Sequence, residues 1–361
     1  MVTSPRRRRP TLDDVADAVG VSRATVSNAY NRPDQLSAGL RAEVLRAAKK
    51  LGYSGPNPVA RSLATSRTGA IAVLLDTGLS AAFSDPALSI TLDALAGAVD
   101  PGGHALLILP GGDDGGPNAG RVLAAQADLA VAYSLADHAP ALKAIRERGL
   151  PLVVIDQPHV PGSARVSVDD RGGAELAARH LLELGHRRFA VLSAQCLSAP
   201  RGGPLSPEEA KRSLFRDNRE RFAGYLGPIA AAGIAEHDVL IMETSGTSRE
   251  VAMASARALL AHEPRPTAML CMSDELALAT LAVARQLGLA VPSDLSIVGF
   301  DDAPGAAWAA PGLTTVRQDL VRKGRLAGEF AVRLLDGEKA PPPVTLAVDL
   351  VVRDSTAPPR P

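Results

Sequence analysis

Leu12-Asp-Asp-Val-Ala-Asp-Ala-Val-Gly-Val-Ser-Arg-Ala-Thr-Val-Ser-Asn-Ala-Tyr-Asn31 reads as two short helices around a glycine turn. Thr11 is placed to cap the first helix, with Asp13 and Asp14 in the first turn, where the helix dipole favours negative charge. Val15, Ala16 and Val19 form its apolar stripe. Gly20 stands where the chain must reverse within a few residues, a position best served without a Cβ. Ser22 caps the second helix, and Val26 returns to meet Ala16, which is small because the helices cross closely there. That packing decides which face of the second helix points outward.

The outward face carries Arg23, Ala24, Ser27 and Asn28. Arg23 and Asn28 have the fork geometries suited to guanine and adenine edges, and Ala24 suits a thymine methyl. Thr25, Ser27 and Asn31 are short polar groups suited to phosphate oxygens. Residues 1–69 hold twelve Lys or Arg against five acids, so a chain of zero formal net charge has a head of +7 on a body of −7. A basic head on an acidic body fits a polyanionic partner for the head alone. A generic solvated helical hairpin would need neither the tight glycine turn nor the basic surroundings.

A third helix follows, capped by Ser37, ending near Gly52, and sealing a small core with Leu40, Val44, Leu45, Ala48, Leu51 and Tyr53. The expected organisation is a disordered basic tail over 1–10, a helix-turn-helix domain over 11–53, and a linker with a short hinge helix over 54–67. Asn57 and Pro58 begin that hinge helix, which is too short to form without a partner. A two-lobed body over 68–354 and a tail over 355–361 complete the chain.

At 361 residues, 46% apolar, the chain suits a small domain plus one or two α/β domains. The body alternates β-prone apolar runs with helical segments. Strands are expected at 69–75, 105–109, 129–132, 152–155, 190–193, 239–242, 268–271 and 297–300. Helices are expected at 87–98, 119–126, 139–148, 172–184, 218–232, 249–262 and 274–287. Two parallel sheets covered by helices follow, with a ligand cleft outside the carboxyl ends of the strands. Cys196 and Cys271 read as buried thiols without metal spacing. No apolar stretch follows the N-terminal arginines, and no run of about 18 apolar residues occurs. The chain is therefore read as cytoplasmic, nucleoid-associated when bound to DNA, and without membrane contact.

Thr25-Val-Ser-Asn-Ala-Tyr-Asn31, Val59-Ala-Arg-Ser-Leu-Ala64, Val298-Gly-Phe-Asp-Asp302 and Pro311-Gly-Leu-Thr-Thr-Val-Arg-Gln318 together resemble the lactose-repressor and galactose-repressor family of bacterial transcriptional regulators, from about residue 11 to 354. The resemblance implies a ligand-responsive repressor that binds a palindromic double-stranded DNA operator as a homodimer. Paired hinge helices would enter the minor groove, with Leu63 wedged between base steps and Arg61 at the backbone or groove edge. Leu63 as plain hinge packing is the alternative. The body resembles periplasmic sugar-binding proteins, which implies a small effector, a sugar or related polar metabolite, and no cofactor.

Within that cleft Asp156 and Asp301 follow strand ends, Arg221 holds the family's guanidinium position, and Asp274 follows a third strand. Phe83, Phe215 and Trp308 are candidates to stack on the ligand in a chain only 3% aromatic. Competing roles are a turn cap for Asp301, a helix cap for Asp274, and a core or interface position for Trp308. The chain departs from the family in lacking an aromatic after Asp85-Pro86, in having Ser273 where some relatives have Asn, and in an inserted loop at 199–209 read as a surface excursion. Residues 86–99 and 264–289 resemble the family's dimer surface. The two rival functions are a sugar-binding module without gene control, which leaves the basic head unused, and an enzyme. No nucleophile elbow, phosphate-loop lysine motif or metal cluster is present, and His138, His180, His186 and His262 read as surface or capping groups.

Overall fold

A computed structural model describes residues 10–55, 67–111, 118–197, 202–246 and 248–360. The expected hinge helix with Arg61 and Leu63, the basic tail at 1–9 and the Asn31 side chain lie outside what is described. Two compact units result, Met1–Thr68 and Gly69–Pro361.

The first unit holds α1 (Leu12–Val19), α2 (Arg23–Asn31) and α3 (Ala38–Leu51). Thr11 and Asp14 form a reciprocal capping box on α1, Gly20 ends the helix in the left-handed region at φ 72°, and Ser22 and Ser37 cap α2 and α3. Val15, Ala16, Val26, Ala29, Val44 and Ala48 make the buried core. Tyr30 and Tyr53 meet edge to face, their rings 6.0 Å apart, beside it.

The second unit begins β1 (Ala70–Leu75), α4 (Leu79–Ser84), α5 (Pro86–Val99), β2 (Ala105–Leu109), α6 (Ala119–Ala124), β3 (Leu129–Tyr133), α7 (Pro140–Glu147), β4 (Leu152–Ile155) and β5 (Ala164–Val168). It continues α8 (Asp170–Glu183), β6 (Phe189–Ser193), β7 (Gly203–Pro204), α9 (Pro207–Lys211), α10 (Arg216–Ala231), β8 (Leu240–Glu243), α11 (Arg249–Leu260), β9 (Ala268–Cys271), α12 (Asp274–Gln286), β10 (Ser296–Asp301), α13 (Pro304–Trp308) and β11 (Thr314–Arg317). It ends α14 (Leu320–Leu335), β12 (Val344–Leu346) and β13 (Asp349–Val351).

Two sheets form, one ordered β12-β5-β4-β3-β1-β2 and the other β13-β11-β10-β9-β6-β8-β7. The first is parallel throughout; the second is parallel except at its edges, where β13 and β7 run antiparallel to β11 and β8. The central strands are buried on both faces, as continuous apolar runs require. The chain passes between lobes three times, after β5, after β11 and after β12. The first and third passes are joined by the Asp169 amide donating to the Leu346 carbonyl at 3.0 Å.

Each pass into a helix ends in a close helix pair. In the first lobe α14 lies on α5, and a Cβ at Gly324 would collide with the Thr91 carbonyl oxygen. In the second lobe α10 lies on α8, where a Cβ at Gly224 would collide with the Arg171 carbonyl. These approaches fix the N-termini of α8 and α14 against the junction of the lobes.

Three expectations need correction. Of the loop at 199–209, the described part is no plain excursion: it supplies β7 and then α9, whose Ser206 and Glu209 form a capping box. The stretch read as a tail packs into the second lobe. Ser355 is fully buried, bonded to the Thr314 amide and the Ile297 carbonyl. His186 is buried rather than superficial, bonded to Thr267, Ser296 and the Ala357 carbonyl, because it anchors that same stretch.

Candidate functional site

Two sites are built, one in each unit. On α2, Arg23 and Ala24 are exposed while Thr25, Ser27 and Asn28 are half-buried. The face turned from the core is thus the one expected to read DNA. Arg23 lies 3.8 Å from Asp13 with both side chains well exposed, a weak pair that leaves the guanidinium free to exchange partners. Asn28 Nδ2 donates to Gln35 Oε1 at 3.3 Å, which holds the amide in one orientation. The hydroxyls of Thr25 and Ser22 are 2.8 Å apart at the helix start.

In the second unit, strand ends and the three passes bring buried polar groups together. Asp156 follows β4 with φ 63°, and Asp301 ends β10 with φ 129°, both in backbone conformations that L residues adopt at a cost of about 1–3 kcal/mol. Ser134, after β3, shares this geometry with φ 47° and donates to Asp156 Oδ2 at 3.5 Å. Strain of this kind gathers at the ends of β3 and β4 in one lobe and of β10 in the other.

A continuous polar chain crosses it. Lys323 Nζ, on α14, donates to Asp156 Oδ2 at 2.9 Å and to Gln318 Oε1 at 2.8 Å. Gln318 Nε2 donates to Asp301 Oδ1 at 2.6 Å, and Asp301 Oδ2 accepts from the Asp274 amide at 3.4 Å. Arg221, on α10, donates to Asp170 at 2.8 Å and to the Met272 carbonyl, and its guanidinium lies 3.7 Å above the Phe300 ring. A second contact between lobes is Arg219 with Asp137 at 2.8 Å.

Carboxylates outnumber the cations that face them. Burial raises the Asp76 carboxyl to about 7, helped by Asp217 from the opposite lobe. Burial, then Asp170, raises Asp217 to about 7. Burial also raises Asp301 to about 7, against the pull of Arg221, and Asp274 to about 8, helped by Asp301.

The expected ligand residues divide. Asp156, Arg221 and Asp301 are brought to one junction. Asp274 is there too, but Ser273 is the helix cap, and the Asp274 carboxylate takes bonds from Thr315 and the Ala303 amide. Phe215 is buried at the start of α10, whereas Phe83 and Trp308 are 69% and 84% exposed. Missed in the sequence were Lys323, Gln318, Asp170 and Gln157. For Lys323 a signal existed: it interrupts the apolar face formed by Leu320, Ala327, Phe330 and Ala331 on one helix.

Residues 11–57 match the family model for bacterial regulatory proteins of the lacI family, and residues 178–356 match the periplasmic binding protein-like domain. An HTH-type transcriptional regulator of Mycolicibacterium smegmatis is 40% identical over 333 residues, covering 90% of each chain. The chain belongs to the LacI family. This LacI-family chain is a transcriptional regulator with a DNA-binding helix-turn-helix head and a periplasmic-binding-protein-like body. Among solved structures it is similar to the lac repressor dimer bound to operator and an anti-inducer, with TM-score 0.76, 26% identity and coverage of 97% of this chain and 100% of that one. It is also similar to the regulator CelR in complex with cellobiose, with TM-score 0.68, 28% identity and coverage of 96% and 100%. Among the described residues, no helix of this regulator is long and apolar enough to cross a membrane.

Proposed function

We propose that this regulator is a ligand-controlled repressor which binds a palindromic operator as a homodimer and takes its effector, a sugar or related polar metabolite, at the junction of its two lobes. The observation that carries the reading is the buried chain Asp156–Lys323–Gln318–Asp301, which joins the strand ends of one lobe to those of the other. A small polar molecule that exchanges hydrogen bonds with this chain changes how the lobes sit, and burying so many charges without a polar ligand is costly. The similar lac repressor and CelR structures, with operator and with cellobiose, support the two halves of the reading.

Arg23, Ala24 and Asn28 read bases in this scheme, while Thr25, Ser27 and Asn31 hold phosphates. Arg61 and Leu63 enter the minor groove from a paired hinge helix. Arg221, Asp156 and Asp301 contact effector, with Asp274 positioning the loop after β10; Phe83, Phe215 and Trp308 are the aromatic candidates. The helix α5 and residues 264–289 form the dimer surface, since two-fold pairing of recognition helices matches a palindrome. Action on chromosomal DNA places the protein in the cytoplasm, on the nucleoid when bound, with no catalytic role. Operator and effector are then linked through one equilibrium, each changing affinity for the other by the same factor.

Selection of bound duplex from a random pool supplies the operator. Fluorescence anisotropy at fixed salt then measures operator affinity across a panel of sugars and polyols. A recovered palindrome whose affinity shifts with one class of compound is the expected result; a protein whose affinity no compound alters would end the effector half of the reading.

A further inference from the structure

The three covalent passes are not all that joins the lobes. Asp137, in the turn between β3 and α7 of the first lobe, donates its amide to the Leu214 carbonyl of the second at 3.1 Å, and its carboxylate accepts from Arg219 Nη2 at 2.8 Å. The Asp217 amide donates across the same boundary to Gln157 Oε1 at 2.9 Å. The second-lobe partners all lie within 214–219, the approach to α10 and its first turn. That segment is anchored in its own lobe, where the Leu214 amide donates to the Cys196 carbonyl at 2.8 Å and Arg219 Nη1 to the Ser213 carbonyl. It therefore moves with the second lobe, and its bonds to Asp137 and Gln157 break when the lobes part.

With these bonds made, the junction has little room. Its cavity, with Asp156, Asp170 and Asp217 in the lining, is about 100 Å³. An apolar cavity of about 150 Å³ takes benzene, and a hexose has about twice benzene's heavy atoms. The groups that would meet an effector are also turned to one another: Arg221 to Asp170 and the Met272 carbonyl, Asp301 to Gln318, and Asp156 to Lys323. A molecule of sugar size reaches them only after the lobes separate.

We propose that Asp137 and Arg219 form an autoinhibitory latch, which holds the effector cleft shut and must open before effector binds. The inference rests on the reading that effector binds at the junction of the lobes. The pair suits the task because it is weak: its carboxylate and guanidinium side chains are 27% and 30% exposed, so water competes for both charges and the link breaks and re-forms readily. Apparent effector affinity is then reduced by the fraction of molecules whose latch is open, and a weaker latch makes the protein more sensitive to effector. A pair that served only to complete the effector-bound form would have the opposite effect.

Amide hydrogen exchange on the full-length protein tests the latch without any effector, because the Asp137 and Asp217 amides are bonded only across the lobes and exchange when these part. Asp137→Asn and Arg219→Gln should each speed exchange at both amides by about two- to fivefold, the range for a partly exposed ion pair, with amides of β6 unchanged. The double variant should be no faster than either single one, since both remove the same interaction. Operator anisotropy with cellobiose, ribose, galactose and sorbitol supplies the second arm: for a compound that acts, each variant should lower the concentration for half response by the same factor. Exchange unchanged in both variants overturns the latch, and a half-response concentration that rises overturns its inhibitory role. If no compound acts, the effector reading is what fails, and exchange alone decides whether the latch exists.

Discussion

Lys323 Nζ stands 2.9 Å from Asp156 Oδ2, with only 2% and 10% of the two side chains exposed. The pair joins α14, the helix entered on the second pass between lobes, to the end of β4 in the same lobe. Through Gln318 it reaches Asp301 in the other lobe. A lysine so deeply buried is tolerated only because its donors are taken up, and that dependence can be measured.

Lys323→Met leaves Asp156 buried without its cation and should destabilise the body by about 3 kcal/mol or more in urea unfolding. Adding Asp156→Leu should recover most of the loss, since two apolar groups replace the pair. A double variant no more stable than the single would show that Lys323 acts through something other than Asp156.

Arg23→Ala should relax base preference at one operator position, with a loss of about 1–3 kcal/mol for the preferred base and less for the others. Thermal stability of the head should hold, because the only ion pair lost lies at the surface. Anisotropy with operator variants separates this from a phosphate contact, which would weaken all sequences alike.

Arg221→Lys keeps a charge for Asp170 but loses the fork that also reaches the Met272 carbonyl and the planar face over Phe300. Effector concentration needed for half response should rise about tenfold, with operator affinity in its absence unchanged. Equal loss of both would place Arg221 in the fold alone.

The Asp76 carboxyl, raised to about 7 from its usual 3.8, binds its proton more tightly folded than unfolded. Stability from this group is therefore full below the unfolded pKa and is lost as pH rises through about 4 to 7, since the folded state must give up the extra proton. Asp76→Asn should flatten the fall and raise the melting temperature at pH 8 relative to the parent. Calorimetric scans at intervals from pH 5 to 8 check the slope; a parent protein that gains stability over that range, with Asp76→Asn showing the same rise, contradicts it.

Gly324→Ala should cost about 1–3 kcal/mol, because the added methyl meets the Thr91 carbonyl oxygen where α14 crosses α5. Gly97→Ala on α5, where a Cβ meets nothing within 4 Å, should be neutral or slightly stabilising. Chemical denaturation of the two variants gives the contrast.

The head was legible because its rules are local. Thr11, Gly20, Ser22, Ser37 and Gly52 cap or end helices through their nearest neighbours, and Val15, Val26 and Val44 recur at helical spacing. The strands β1 to β4, β6 and β8 to β10 were legible as apolar runs. Strands β5, β7, β11, β12 and β13 were not, since each is short and stable only as a neighbour of a strand already in place.

What the chain's residues determined by themselves was the helix-turn-helix with its outward Arg23 and Ala24 and the placing of Asp156 and Asp301 at strand ends, while resemblance to the family's motifs pointed to Arg221. Tertiary structure alone decided that Lys323 would turn inward to Asp156 and that Arg221 would spend its charge on Asp170. The first kind of information lies in contacts a few residues apart. The second lies in partners brought together from distant segments, across separations such as the 167 residues between Asp156 and Lys323, that no periodicity encodes.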